Sequence, residues 1–136
     1  MRYLAIDYGA KRTGLAVCDA AETITSPYAV LHGQKDLIRQ IGRVVASENI
    51  EAIVLGLPLN MDDSEGPQAR KVRAFAKELQ AQVRIPVYFQ DERLSSFGAE
   101  EKLEEIGLSK RKRLERLDAL AAAEILQAFL EHKSGG

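Results

Sequence analysis

The stretch YLAIDYGAKRTGLAVCD, residues 3–19, sets two short apolar runs on either side of a turn rich in glycine and charge. Arg2–Asp7 and Thr13–Asp19 read as strands, and YGAKR between them reads as the turn of a hairpin. Asp7 stands where the first strand leaves the core, with Lys11 and Arg12 in the turn behind it. A carboxylate in that place is either a turn residue capping nearby backbone N–H groups or a functional group.

Outward from the hairpin the pattern alternates. Thr23–His32 is a further extended segment, and its Pro27 suits an edge strand or an irregularity. Asp36–Ser47 brings Leu37, Ile38, Ile41, Val44 and Val45 round at helical spacing. EAIVLGLP, residues 51–58, is a continuous apolar run of the kind buried on both faces of a sheet. Ala69, Val72, Ala76, Leu79 and Val83 predict a helix over Glu65–Gln82, and IPVYFQ, residues 85–90, a fifth strand. Ser95–Ile106 and Leu114–His132 read as two more helices, with Gly107 as the stop between them.

The order β-β-β-α-β-α-β-α-α predicts an α/β fold, a mixed five-stranded sheet flanked by helices. Its hairpin strands would join parallel strands added by right-handed crossovers. In such an open sheet the working crevice lies beyond the carboxyl ends of the parallel strands. DYGAKRTG, GLPLNMDDSEG and DERLSS should therefore converge. No repeat or linker divides the chain, which predicts one domain over residues 1–133 and a flexible tail at 134–136.

Composition narrows the chemistry. No apolar run is long enough to span a bilayer, and MRYLAIDYG opens a strand rather than a signal peptide. The single cysteine, Cys18, excludes an internal disulfide and fits a cytoplasmic protein. Two distant histidines, His32 and His132, make zinc a poor expectation, so a metal here would take oxygen ligands, as Mg²⁺ or Mn²⁺ does. The net charge of −1 hides a basic cluster in SKRKRLERLD, residues 109–118.

Three places supply candidate ligands. Asp7 ends the first strand, and Arg12 could simply pair with it. Asp91 and Glu92 end the fifth strand, where successive side chains point to opposite faces. Only one should enter the crevice, and Glu92, at the bend into RLSS, is preferred, though either could merely pair with Arg93 beside a Ser95 or Ser96 helix cap. Asp118 shares a helix face with Ala121, Ala122 and Ile125, unless it caps a helix beginning at Ala119. A carboxylate carried on that small apolar stripe must be neutralised, paired or metal-bound. Asp7, Asp91 or Glu92, and Asp118 thus form an all-oxygen set suited to one or two hard dications acting on phosphate. Sugar hydrolysis also uses two carboxylates, but four Tyr, four Phe and no Trp make a stacked sugar site a weak rival.

AIDYGAKRTGLAV, IVLGLPLNMDDSEGPQARKVRAFAKEL, DERLSS and LDALAAAEIL, in this order over nearly the whole chain, resemble the YqgF/RuvX family of RNase H-like nucleases. The resemblance implies an RNase H-like fold, divalent-metal phosphodiester hydrolysis and a bacterial cytoplasmic protein. It implies 5′-end maturation of pre-16S ribosomal RNA, with resolution of Holliday junctions as the alternative. Asp7, Glu92 with Asp91 beside it, and Asp118 fall at the family's acidic positions. Related resolvases carry a further acid at the end of the fourth strand, where this chain reads GLPLN.

A structured RNA or branched DNA partner would need cations. Lys110, Arg111, Lys112 and Arg113 are the leading candidates, followed by Lys11, Arg12, Arg93, and Arg70 and Arg73 on one helix face, which would otherwise be a solvated face. Asn60 can donate to a phosphate or order its loop, and Ser64–Glu65 would open a helix whose N-terminus faces an anion. A junction-cutting enzyme would be expected to act as a two-fold homodimer. The glycine-rich turn also suits actin-like ATPases, but those need two such domains. A catalytically silent nucleic-acid-binding module is the non-enzyme alternative, and it gives no reason to keep Asp118 on an apolar stripe.

Overall fold

The computed structural model describes residues 1–94 and 110–135. Strands β1 (Tyr3–Asp7), β2 (Arg12–Cys18) and β3 (Thr25–His32) come first, then α1 (Leu37–Ser47), β4 (Ala52–Leu57), α2 (Pro67–Val83) and β5 (Val87–Asp91). A 3₁₀ turn over Glu92–Leu94 follows, and α3 (Lys110–Gly135) ends the chain. The helix expected over Ser95–Ile106 and its stop at Gly107 lie outside the described residues.

The five strands form one sheet in the order β3-β2-β1-β4-β5. The β1–β2 and β2–β3 pairs are antiparallel, and the β1–β4 and β4–β5 pairs are parallel. This is the mixed sheet expected of a hairpin extended by two crossovers. β4 lies between two parallel neighbours and is buried along its whole length, as its unbroken apolar run requires. β3 is an edge, and its register with β2 shifts where Ala16 faces Pro27, a residue that cannot donate to a ladder.

Alternation along the strands sorts side chains into two cores. Leu4, Ile6, Leu15, Ile53 and Leu55 face α1 and α2, packing against Ile41, Val72, Phe75 and Leu79. Tyr3, Ala5, Ala16, Cys18, Ala52 and Val54 face α3, packing against Ala122, Ala123, Ile125, Leu126 and Leu130. The second core is built largely of alanines, so α3 lies close to the sheet. Its buried stripe runs through Ala119, Ala122, Ala123, Ile125, Leu126 and Leu130, and Asp118, partly exposed, lies at the stripe's edge.

Element ends depart from the expected ranges for local reasons. α2 begins at Pro67 rather than Glu65, with Gly66 as N-cap, because proline suits the first helical turn, where no N–H is needed. β5 starts at Val87 because Arg84 takes a left-handed conformation (φ 56°) at the end of α2 and the chain then passes through Pro86. α3 continues to Gly135, through residues expected to lie in the tail.

Candidate active site

Asp7 is the last residue of β1 and follows Tyr3 and Ala5 on the face covered by α3. Its register partner on β2 is Gly14, and Gly56 on β4 follows Leu55, the partner of Ile6. Asp7 therefore sits between two strand positions that carry no side chain. Each glycine admits something else.

At Gly14 a Cβ would lie 2.0 Å from the carbonyl oxygen of Asp118. Only glycine lets the α3 backbone rest on β2 there, and that contact fixes Asp118 near Asp7. At Gly56 a Cβ would lie 2.6 Å from Glu92 Oε1 and 2.6 Å from Ile125 Cδ1. Glu92 starts two strand positions from Asp7, on the order of 10 Å across the sheet. Its longer side chain and the 3₁₀ bend carry the carboxyl over Gly56, and it hydrogen-bonds to Asp7.

Parity separates Glu92 from its neighbour. Val87 and Phe89 pack in the α1/α2 core, whereas Gln90 faces α3 and bonds His132 at 3.3 Å. Continued one step, Asp91 belongs to the α1/α2 face and Glu92 to the α3 face with Asp7. Asp91 is not brought to Asp7. It receives Arg93 Nε at 3.0 Å and Nη2 at 2.6 Å instead.

The two adjacent acids are driven in opposite directions. Burial, the hydrogen bond to Asp7 and the charges of Asp7 and Asp91 push the Glu92 carboxyl up to about 9. Asp91 is held below the ordinary carboxylate range, chiefly by its bond to Arg93. Asp7 is raised by burial and by the nearby Asp118 charge, against the lowering effect of its bond to Glu92. The pair thus favours the protonated form of Glu92, with the hydrogen bond running from it to Asp7.

Asp118 completes the group in a different way. Arg12 Nε donates to its Oδ2 at 2.7 Å, with both side chains partly exposed. Arg12 could have paired with Asp7, but the structure gives it to Asp118, because on β2 it shares the α3 face with Gly14, two residues along. Among the described residues no three acidic side chains already close on one point. Asp7 and Glu92 are joined, and Asp118 stands beside them under a cation.

The expected basic residues divide into engaged and open. Arg93 spans Asp91, Asp63 Oδ1 (2.7 Å) and the Asn60 carbonyl (2.8 Å), so it pins the β4–α2 loop to the end of β5. Arg73 grips Glu65 at 2.5 and 2.7 Å and lies over the Phe89 ring. The Asn60 side chain donates to Ser64 Oγ at 3.0 Å, which orders the same loop. Lys11 and Arg70 are exposed. Lys110, Arg111, Lys112 and Arg113 open α3 at its N-terminus, with side chains outside those described. The Arg93–Asp91 pair is the local one expected, whereas the Arg93 contacts to Asp63 and the Asn60 carbonyl and the approach of α3 at Gly14 are not legible in the sequence. A glycine inside a β-forming run is the signal for close approach, at Gly14 as at Gly56.

The donor set fits a hard dication. Asp7 and Glu92 offer only oxygen, are desolvated together and share a proton that a cation can replace, with Asp118 within electrostatic reach. Residues 1–132 match the model of the family described as "RuvX: Holliday junction resolvase". The chain belongs to the RuvX family.

Relatives of this family match along the whole chain. A protein of Anaeromyxobacter dehalogenans is 43% identical, covering 98% of this chain and 99% of its own length. One of Maridesulfovibrio salexigens is 39% identical, covering 96% and 98%. Both are named "Putative pre-16S rRNA nuclease". Among solved structures, T. thermophilus RuvC in complex with a Holliday junction superposes with a TM-score of 0.60 at 17% identity, covering 99% of this chain and 96% of that one. Fowlpox virus resolvase with junction DNA gives 0.59 at 14% identity, covering 98% and 99%. The RuvX chain has the RNase H-like fold of these resolvases.

Proposed function

We propose that this chain is a divalent-metal-dependent nuclease that hydrolyses phosphodiester bonds in the 5′-end maturation of pre-16S ribosomal RNA. The observation that carries the reading is Glu92 laid across Gly56 onto Asp7, with Asp118 pinned alongside at Gly14. Gly56 lets Glu92 reach Asp7, and Gly14 lets the α3 backbone bring Asp118 alongside. A silent binding module gains nothing from that arrangement. The names of the relatives support the RNA substrate.

Asp7, Glu92 and Asp118 would hold Mg²⁺ or Mn²⁺, one or two ions, with Asp91 left to anchor Arg93. The bound ions would supply charge neutralisation on the phosphodiester and a water acidic enough to attack it. The protein's own part is positional. The carboxyl end of the central strand β1 holds Asp7 in place, and the 3₁₀ turn delivers Glu92 with a proton that must leave its Oε before the carboxylate can act as a ligand. Lys11, Arg12, Arg70 and the Lys110–Arg113 cluster hold the nucleic-acid backbone without reading its sequence. A substrate of this kind places the protein in the cytoplasm.

The second reading is a Holliday junction resolvase working as a homodimer, and the description of the family supports it. One experiment addresses both. A precursor ribosomal RNA and a four-way DNA junction are incubated with the protein in Mn²⁺, with chelator, and with Asp7→Asn. Metal-dependent cleavage of the RNA, reduced about a thousandfold or more in Asp7→Asn, is the expected result. Preferential cutting of the junction would select the second reading, and binding of either without cleavage would refute catalysis.

A further inference from the structure

Arg12 and Asp118 are held together by backbone rather than by chance on a surface. Arg12 opens β2, and Gly9 brings the turn against it so tightly that a Cβ there would lie 2.3 Å from the Arg12 carbonyl oxygen. Asp118 is fixed from the other side, where its own backbone rests on Gly14, two residues along the same face of the same strand. Both ends of the 2.7 Å contact are thus set by the sheet and by α3. The guanidinium thus stands on Asp118, beside the joined carboxyl groups of Asp7 and Glu92.

We infer that Arg12 is the resident counter-cation of this site: it holds Asp118 until a divalent ion takes that carboxylate over. The inference rests on the reading of Asp7, Glu92 and Asp118 as the metal ligands. Arg12 and the ion compete for the same oxygens, and a positive charge beside the site weakens binding of another. Binding of the ion then frees the guanidinium at the mouth of the crevice, where a substrate phosphate can receive its paired N–H groups. Metal and nucleic acid would in this way be coupled through one side chain.

Titration of the full chain with Mn²⁺ alone, by calorimetry and without nucleic acid, tests this. Arg12→Gln should bind Mn²⁺ about threefold or more tightly than the natural protein, and Arg12→Lys, which keeps the charge, should stay within about twofold. Unchanged or weaker binding by a folded Arg12→Gln would overturn the inference and make Arg12 an organiser of Asp118. Asp7→Asn separates the two layers: if it binds Mn²⁺ as well as the natural protein does, the metal site itself is misplaced and the inference falls with it. Should Arg12→Gln fail to fold, the natural protein still decides. Its Arg12 Nε–H resonance, assigned by comparison with Arg12→Lys, should lose its protection from exchange as Mg²⁺ is added. Protection that persists at saturating Mg²⁺ would equally overturn the inference.

Discussion

Glu92 reaches Asp7 only because residue 56 is glycine: a Cβ at that position would stand 2.6 Å from the glutamate's Oε1. β4 separates the two acids in the sheet, and its bare backbone is the bridge between them. Gly56→Ala should therefore displace Glu92 and Ile125 together. We expect a stability loss of about 1–3 kcal/mol from overpacking and a fall in cleavage of about a hundredfold or more. Urea denaturation and single-turnover cleavage measure the two effects. Full activity in Gly56→Ala would show that Glu92 need not lie on Asp7.

Gly14→Ala is the companion test on the other side of Asp7. Its Cβ would run into the Asp118 carbonyl at 2.0 Å, and neither backbone can yield without lifting α3 from the sheet. A loss of about 2 kcal/mol or more is expected in thermal or chemical unfolding. The same substitution at the open turn glycine Gly33, whose added Cβ meets nothing, would strain only its left-handed backbone (φ 75°), at about 1 kcal/mol.

The metal-free protein should lose stability as pH rises. Glu92 holds its proton in the folded state up to about 9, far above the ordinary glutamate value of 4.5. Between those values the folded chain binds more protons than the unfolded one, so each rise in pH favours unfolding. In chelator, the midpoint of urea unfolding should fall between pH 5.5 and 8.5 by the equivalent of ~1–3 kcal/mol. Glu92→Gln should flatten that dependence, and Mg²⁺ affinity should rise over the same window as the competing proton is lost. A flat profile in the natural protein would contradict the burial of the pair.

Arg93 should behave as a clamp rather than as a phosphate contact. It is bound on three sides, to Asp91, Asp63 and the carbonyl of Asn60. Arg93→Ala should loosen the β4–α2 loop and lower stability by about 1 kcal/mol. Nucleic-acid affinity should change by less than about threefold, with the salt dependence of binding unaltered. A reduced salt slope in a filter-binding or anisotropy assay would return Arg93 to the nucleic-acid interface.

What could be read from the sequence was governed by local periodicity. The Tyr3–Asp19 hairpin and the Ala52–Leu57 run follow from local apolar patterning, and both stand in the structure. Long-range partners were not legible. Arg12 meets Asp118 across 106 residues and Arg93 meets Asp63 across 30, contacts that no local pattern announces, whereas the Arg93–Asp91 pair is two residues apart and was expected. Of the α3 face expected from positions 118, 121, 122 and 125, Ala122 and Ile125 are fully buried, but the buried stripe also takes in Ala119, Ala123 and Leu126 and leaves Asp118 and Ala121 at its edge. In a helix so rich in alanine, apolar periodicity is nearly uniform and fixes the orientation poorly. The sheet decides it instead, through Gly14.

A divalent ion should replace the proton that Asp7 and Glu92 share. A crystal of the protein grown at alkaline pH and soaked in Mn²⁺ would test this most directly, by anomalous scattering at the manganese edge. A peak about 2.1 Å from an Asp7 Oδ and a Glu92 Oε is expected, with their hydrogen bond gone. An intact Asp7–Glu92 hydrogen bond at saturating Mn²⁺, with no peak between the two carboxyl groups, would contradict it.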